Sequence, residues 1–405
     1  MNHEEILQSV IKCNNSKIAL IVLDGIGDIR NRDYNYKTPL EYAKTPNLDK
    51  LASESVLGRM IPVSLGITPG SGPGHLGLFG YDPINITIGR GVLEAVGLGL
   101  NLQNGDVAAR CNFATISEDG KIIDRRAGRI ATEKTIELCN ILRSIKEIDD
   151  VEIIIEPGKG HRFVTIFRSK NKKIDSLIND TDPQSEGKAP LTAKGNNEAS
   201  VFLASVVNQF LKKGFELLSN YDKTNGFLTR GFSKKPDLPS MREKYCLESA
   251  AIATYPMYRG IASLLGMKLL AAPDSIDGLF ETYVKNKQKY DFFFIHVKGT
   301  DQAGEDGDFE SKVSCIEKVD KALSVLLQNR PDVIAITGDH SSPCPMRSHS
   351  FHPVPVLLNG EFSGRDDVVC FHENACNVGG LGFFESKYLM TLLLANGKRL
   401  NKFGA

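Results

Sequence analysis

Lys17-Ile-Ala-Leu-Ile-Val-Leu23-Asp24-Gly25 is the stretch on which the reading of the fold turns. Its apolar run from Ile18 to Leu23, partly β-branched, suits a strand buried on both faces of a parallel sheet, and Asp24-Gly25 ends it. The arrangement recurs twice. Tyr290-Asp-Phe-Phe-Phe-Ile-His-Val297 runs into Thr300-Asp301, and Asp332-Val-Ile-Ala-Ile-Thr337 runs into Gly338-Asp339-His340. Each strand delivers an aspartate just beyond its carboxyl end.

Helical signals alternate with these strands. Thr45-Pro46 offers an N-cap and a first-turn proline ahead of Leu48, Leu51 and Ala52, and Phe309, Val313, Ile316, Val319, Leu323 and Leu326 keep a helical stripe. Alternating β and α elements predict an α/β fold with a parallel sheet. The middle of the chain has another texture. Strands are expected over 107–116, 151–156 and 161–167, helices over 133–148 and 197–218, and loops over 180–197 and 233–239. This reads as an inserted α+β domain over 95–245, which leaves a discontinuous core of 1–94 and 246–405.

The chain has 405 residues, 41% of them hydrophobic and 24% charged, which fits a globular protein and excludes a disordered one. Lys plus Arg and Asp plus Glu balance at 49 each, so no net field draws in nucleic acid or an anionic membrane. The eight cysteines are scattered without a CxxC pair, the pattern of reduced thiols in a cytoplasmic protein. Residues 1–16 carry Glu4 and Glu5 and do not read as a signal peptide, and the apolar run that follows is too short to span a bilayer.

In open α/β sheets ligands bind beyond the carboxyl ends of the strands, where Asp24, Asp301 and Asp339 fall. A lone Asp after a strand is as often a turn or helix cap, but three in one topological place would repel one another without cations. His340 and His349 add imidazoles suited to a transition metal. His75, His349 and His352 taken singly read equally as loop histidines, and His352 before Pro353 more so. The loop Ile67-Thr-Pro-Gly-Ser71-Gly-Pro-Gly-His75-Leu-Gly-Leu-Phe-Gly80 lacks the Gly-Lys-Ser/Thr of a nucleotide P-loop. It reads either as a plain turn into a helix or as Ser71 held at a helix N-terminus, where a phosphate and a deprotonated nucleophile are both favoured.

These residues resemble the archaeal-type cofactor-independent (2,3-bisphosphoglycerate-independent) phosphoglycerate mutases of the alkaline phosphatase superfamily, over nearly the whole chain. The resemblance rests on Leu23-Asp24-Gly25, Thr68-Pro-Gly-Ser71 through Tyr81-Asp-Pro83, Ile88-Gly-Arg-Gly91, Asp124-Arg-Arg-Ala-Gly-Arg129, His296-Val-Lys-Gly-Thr-Asp301 through Asp308, and Gly338-Asp-His-Ser341 with His349-Ser350 before Pro353-Val-Pro-Val356. It implies an alkaline-phosphatase-like α/β core with a largely parallel sheet flanked by helices, plus the insert as a substrate-binding lid.

It also implies that 3-phosphoglycerate and 2-phosphoglycerate interconvert in glycolysis and gluconeogenesis, through a phosphoserine on Ser71. One metal would be held by Asp24, Ser71, Asp339 and His340, and the other by Asp301, Glu305 and His349. Glu305 stands where the family pattern has a histidine, and its harder oxygen tilts the preference among two divalent ions to Mn2+, with Mg2+, Co2+ or Zn2+ as alternatives. The Ser71-Gly-Pro-Gly-His75 form departs from the acidic Ser-Asp form of archaeal members and implies a bacterial-like branch.

Asp124, Arg125, Arg126 and Arg129 match a substrate-gripping segment, although an Arg-rich run is ordinarily a solvated face. Arg259, Lys298 and His75 are further substrate candidates. The implied partner is a small-molecule phosphoglycerate, with no nucleic acid and no membrane, and nothing in the pattern sets an oligomeric state. Two other readings share the motifs: a metal-dependent phosphomonoesterase or related phosphoryl-transfer enzyme, and an idle metal- or metabolite-binding protein.

Overall fold

The computed structural model describes residues 1–86 and 88–404. The chain divides into two compact units, Met1–Thr87 with Leu238–Ala405, and Ile88–Asp237. The first holds an eight-stranded sheet in the order Lys268–Leu269, Ser249–Ile252, Phe292–Val297, Ile18–Leu23, Val333–Thr337, Val354–Gly360, Val56–Ile61 and Gly382–Glu385. The expected α/β class with a largely parallel sheet is what the fold shows. Val354–Gly360 alone runs antiparallel to both of its neighbours.

Ile18–Leu23 lies at the centre, parallel to Phe292–Val297 and Val333–Thr337, and all three strands are buried throughout. Leu23 is level with Val297, and Val22 with Thr337. The chain therefore leaves all three strands at the same edge, and Asp24, Asp301 and Asp339 follow within a few residues. Helix Phe309–Gln328 turns its stripe of Phe309, Val313, Ile316, Val319, Leu323 and Leu326 inward, as its spacing predicted. Thr45 takes the N-cap position of helix Pro46–Ala52 but makes no capping bond, because its hydroxyl turns to Asp49 Oδ1 at 3.5 Å instead.

The second unit carries a six-stranded sheet. The helix expected over 133–148 stops at Leu142, and Glu147–Ile148 instead opens a hairpin with Val151–Pro157. Asp149 and Asp150 both adopt positive φ (49° and 64°), as a two-residue hairpin turn requires. Strand Gly226–Lys234, absent from the sequence reading, pairs with Val107–Ile116 and runs into the segment expected to be a loop from 233.

The unit boundaries fall at 88 and 237 rather than 95 and 245. Helix Arg90–Gly97 belongs with the second unit: Gly91 packs so closely on Val107–Ile116 that a Cβ there would meet Ala108 O at 2.2 Å. Helix Met241–Tyr245 belongs with the first, where the Tyr245 hydroxyl donates to Phe79 O at 3.0 Å.

Cysteine usage also differs from expectation. Cys13 and Cys246 form a disulfide with their Cα atoms 5.6 Å apart, and the other six are free. Buried Arg399 brings the two segments together, donating to Asn14 O at 2.8 Å and Cys246 O at 3.3 Å. A contact between residues 233 positions apart leaves no trace in cysteine spacing. Among the described residues no helix is long and apolar enough to cross a membrane.

Candidate functional site

Asp24 follows its strand directly, and Gly25 takes φ +61°, where a Cβ would meet Ser342 Oγ at 2.6 Å and Asp301 Oδ1 at 2.8 Å. Asp301 lies in the first turn of helix Gly299–Asp306. Ser71 is the first residue of helix Ser71–Leu78, whose N-cap is Gly70. That helix lies against the Asp339 backbone: a Cβ on Gly74 would meet Asp339 O at 2.4 Å, so the glycines of this loop permit the approach that brings Ser71 to the strand ends.

His340 Nε2 is the centre of the arrangement. It lies 3.2 Å from Asp24 Oδ1, 3.3 Å from Asp339 Oδ2, 3.5 Å from Ser71 Oγ and 3.8 Å from Asp301 Oδ1. His349 stacks on it with ring centroids 3.7 Å apart and points Nε2 at Asp301 Oδ1 (3.5 Å) and Glu305 Oε1 (3.6 Å). Two groups of side chains, Asp24 with Asp339 and His340, and Asp301 with His340 and His349, can each hold a metal ion. The donor chemistry fits such an ion. Asp24 Oδ1 and Asp339 Oδ2 are buried without a hydrogen-bond partner among the described residues, although His340 is near both, as ligands facing a shared centre are.

Electrostatics match this geometry. Burial pulls the Asp24 carboxyl upward, but contacts with His296 and His340 and the charge of Lys298 outweigh it and hold the group well below its ordinary value. Asp301 behaves likewise: burial opposes ionisation, while His349, Lys298 and His340 carry the net shift downward. Burial would lower His340, yet Asp339, Asp24 and Asp301 raise it to about 9. The site is thus a nest of ionised carboxylates that attracts positive charge.

Lys298 Nζ lies 3.0 Å from Asp24 Oδ2 and also contacts Asp301 Oδ2, so it is paired with both carboxylates. Glu305 is largely exposed and reaches the second group only through His349. His75, expected to bind substrate, is fully buried. Its Nδ1–H donates to Ser71 O at 2.8 Å and lies 3.2 Å from Asp339 Oδ2, so it packs behind the candidate ligands. Arg259, also expected to bind substrate, donates to Ala253 O (3.1 Å) and Leu270 O (3.3 Å) and braces the backbone there.

Its neighbour Tyr258, which the sequence reading passed over, points into the site. The phenol donates to Asp24 Oδ2 and is in reach of Ser71, with its ring 4.5 Å from that of His75 and 4.0 Å from that of His296. A polar residue at a fully buried strand position, His296, was the available signal for this layer.

In the second unit Asp124 caps a tight turn by accepting from Arg126 N (2.7 Å) and Gly128 N (2.6 Å). Arg125 is held by a bidentate pair with Asp182 at 2.7 and 2.8 Å. Arg126 and Arg129 extend into solvent. Sequence reasoning missed a second set of arginines. Arg110 is directly opposite Arg230 across paired strands, and Arg162 is opposite Asn112. Burial first, then Arg162, Arg126 and Arg110, push His161 down to about 4. Arg230 has its own counter-charges, Asp182 Oδ2 at 3.4 Å and Asp180 Oδ2 at 3.7 Å, whereas no ion pair forms at Arg110 or Arg162 among the described residues, so these two are the ones that suit an outside anion. The signal available was the alternation of polar Arg110 and Asn112 with apolar Ala109, Cys111 and Phe113 in Val107–Ile116.

A relative in Aquifex aeolicus, named a probable 2,3-bisphosphoglycerate-independent phosphoglycerate mutase, is 48% identical over 99% of this chain and 100% of its own length. The chain belongs to the 2,3-bisphosphoglycerate-independent phosphoglycerate mutase family. Residues 52–223 match the family of that description, and a Thermus thermophilus protein with the same name as the Aquifex one is 46% identical over 99% of each chain. The solved PH0037 protein of Pyrococcus horikoshii superposes with a TM-score of 0.83 at 29% identity, covering 97% of this chain and all of that one. The cofactor-independent phosphoglycerate mutase of Thermoplasma acidophilum gives 0.73 at 30% identity, covering 94% and 99%.

Proposed function

We propose that this protein interconverts 3-phosphoglycerate and 2-phosphoglycerate through a phosphoserine on Ser71, independently of 2,3-bisphosphoglycerate, as a cytoplasmic enzyme of glycolysis and gluconeogenesis. The observation that carries the reading is the position of Ser71 Oγ, at a helix N-terminus and 3.5 Å from the His340 Nε2 that both ligand groups share. Asp24, Ser71, Asp339 and His340 would hold one divalent ion, and Asp301, Glu305 and His349 the other. Such ions, Mn2+ before Mg2+, Co2+ or Zn2+, would lower the Ser71 hydroxyl pKa and offset charge on the transferring phosphoryl group.

The chain's own residues do the rest. Ser71 Oγ gives up its proton and bonds to phosphorus, the bond from phosphorus to the glycerate oxygen breaks, that oxygen takes up a proton and leaves as a hydroxyl, and the N-terminus of helix Ser71–Leu78 favours the phosphoryl charge. The glycerate then turns and takes the phosphoryl group back on its other hydroxyl. Arg126, Arg129 and the Arg110, Arg162 and Arg230 face suit the anionic part of the substrate, with the second unit as a lid that keeps glycerate in and water out.

The test is phosphorus NMR of 3-phosphoglycerate with the protein and Mn2+, without 2,3-bisphosphoglycerate. Formation of 2-phosphoglycerate is expected, and Ser71→Ala is expected to abolish it while keeping the native melting temperature. No interconversion with any of the four ions would refute the proposal. Net release of phosphate from many small esters would favour the phosphomonoesterase reading, which the exposed carboxylate of Glu305 motivates.

A further inference from the structure

Ser342, next to the ligands in sequence but not one of them, touches both ligand groups at once. Its Oγ lies 2.5 Å from Asp301 Oδ1 and 3.1 Å from His340 Nδ1. The residue is fully buried and pinned on its other sides. Its N–H donates to Gly27 O at 3.0 Å, and its carbonyl accepts from Lys312 Nζ at 2.8 Å. Lys312 is itself fully buried and paired with Asp28 Oδ2 at 2.8 Å, and Asp28 Oδ2 also accepts from Cys344 N at 3.1 Å.

A hydroxyl has one hydrogen. Ser342 Oγ lies closer to the carboxylate oxygen Asp301 Oδ1, at 2.5 Å, than to His340 Nδ1, at 3.1 Å, so that hydrogen goes to Oδ1. What Ser342 Oγ offers His340 is then a lone pair, and Nδ1 must carry the proton. The ring is left with its Nε2 facing Asp24, Asp339 and Ser71, the direction in which a ligand lone pair is needed. We propose that Ser342 is a positioning residue that fixes His340 with its proton on Nδ1 and orients Asp301, so that one hydroxyl, anchored through Lys312 and Asp28, organises both ligand groups together. This rests on the metal-site reading given above. An orienting partner on the far nitrogen of a ligating histidine typically changes metal affinity by about 10- to 100-fold.

Two measurements on the full-length protein test it. In the metal-free protein, at a pH where the ring is neutral, nitrogen-15 NMR of histidine side chains should show His340 protonated at Nδ1, and Ser342→Ala should shift the ring toward a mixture of both forms. By calorimetric titration with Mn2+, Ser342→Ala should bind both ions about 10- to 100-fold more weakly than the native chain. A native His340 protonated at Nε2 would overturn the proposal even if the variant did not fold, since that measurement needs only the native chain. Unchanged Mn2+ affinity in a folded Ser342→Ala would overturn it too. A native chain that binds no Mn2+ while His340 still carries its proton on Nδ1 would instead count against the metal-site reading and leave the hydrogen-bond assignment standing.

Discussion

Glu305 reaches toward His349 from the last turn of its helix, 3.6 Å from Nε2, while much of its side chain stays in solvent. A carboxylate in that place favours a hard ion. Glu305→His is expected to raise the preference for Zn2+ over Mn2+ by about tenfold, on the softer-donor argument; competition between the two ions would reveal it, and an unchanged ratio would remove Glu305 from the ligand set. His340 gives a pH dependence of definite sign. Raised to about 9, it contributes stability that is fully present below its unfolded value of about 6.5 and lost as pH rises through 9. The metal-free protein should therefore melt at lower temperature from pH 6.5 to 9, and Mn2+ should bind more tightly over the same window because the proton competes with it. Scanning calorimetry with a chelator at stepped pH would show the first, and titration calorimetry with Mn2+ in non-chelating buffers at the same pH values the second.

At this scale the aspartates were legible because strand ends mark them. Ser342 and Tyr258 were not, since their roles depend on contacts 41 and 234 positions away. His75 and Arg259 stand in motifs beside the site, yet His75 is buried behind Ser71 and Asp339 and Arg259 is bonded to backbone carbonyls, contacts that motif position does not reveal.

Among the elements, helix Phe309–Gln328 shows both what periodicity reveals and where it stops. Its apolar stripe follows the 3.6-residue repeat, so its inward face could be read directly. Lys312 lies on that same face and is completely buried, which no repeat predicts. It joins the helix to the Gly27–Asp28 and Ser342–Cys344 loops through Asp28. Lys312→Met would leave Asp28 buried and unpaired, and is expected to lower stability by about 3 to 5 kcal/mol. Adding Asp28→Leu should recover most of that loss by removing the stranded charge. Urea unfolding of the two variants separates the outcomes: a single variant no less stable than the native chain would mean the pair is not buried as described. Strand Gly226–Lys234 and the Glu147–Ile148 hairpin escaped the sequence reading for related reasons. The strand's interior Thr-Arg-Gly breaks the apolar run, and Asp149-Asp150 is an uncommon pair for a two-residue turn.

For the whole molecule, what matters is how the work is divided between two units. The core was legible because three strands repeat one pattern, while the second unit had only texture to distinguish it, so its edges were displaced by the helices Arg90–Gly97 and Met241–Tyr245. All the ligand candidates lie in the first unit, and the opposed arginines lie in the second. A metal that binds only the folded form stabilises what it touches, by about 2.7 kcal/mol at a free concentration 100 times Kd. Mn2+ alone should therefore slow hydrogen exchange at the ends of Ile18–Leu23 and Val333–Thr337 and in helix Ser71–Leu78, and leave exchange in residues 88–237 as it was. Phosphoglycerate added afterwards should extend protection to Val107–Ile116 and Gly226–Lys234, where Arg110 and Arg230 face each other. Exchange followed by mass spectrometry under the three conditions decides the matter. Protection that appeared in both units with Mn2+ alone would mean that the ion is not confined to the strand-end carboxylates, and protection that never reached the arginine strands would move the substrate's anionic group elsewhere.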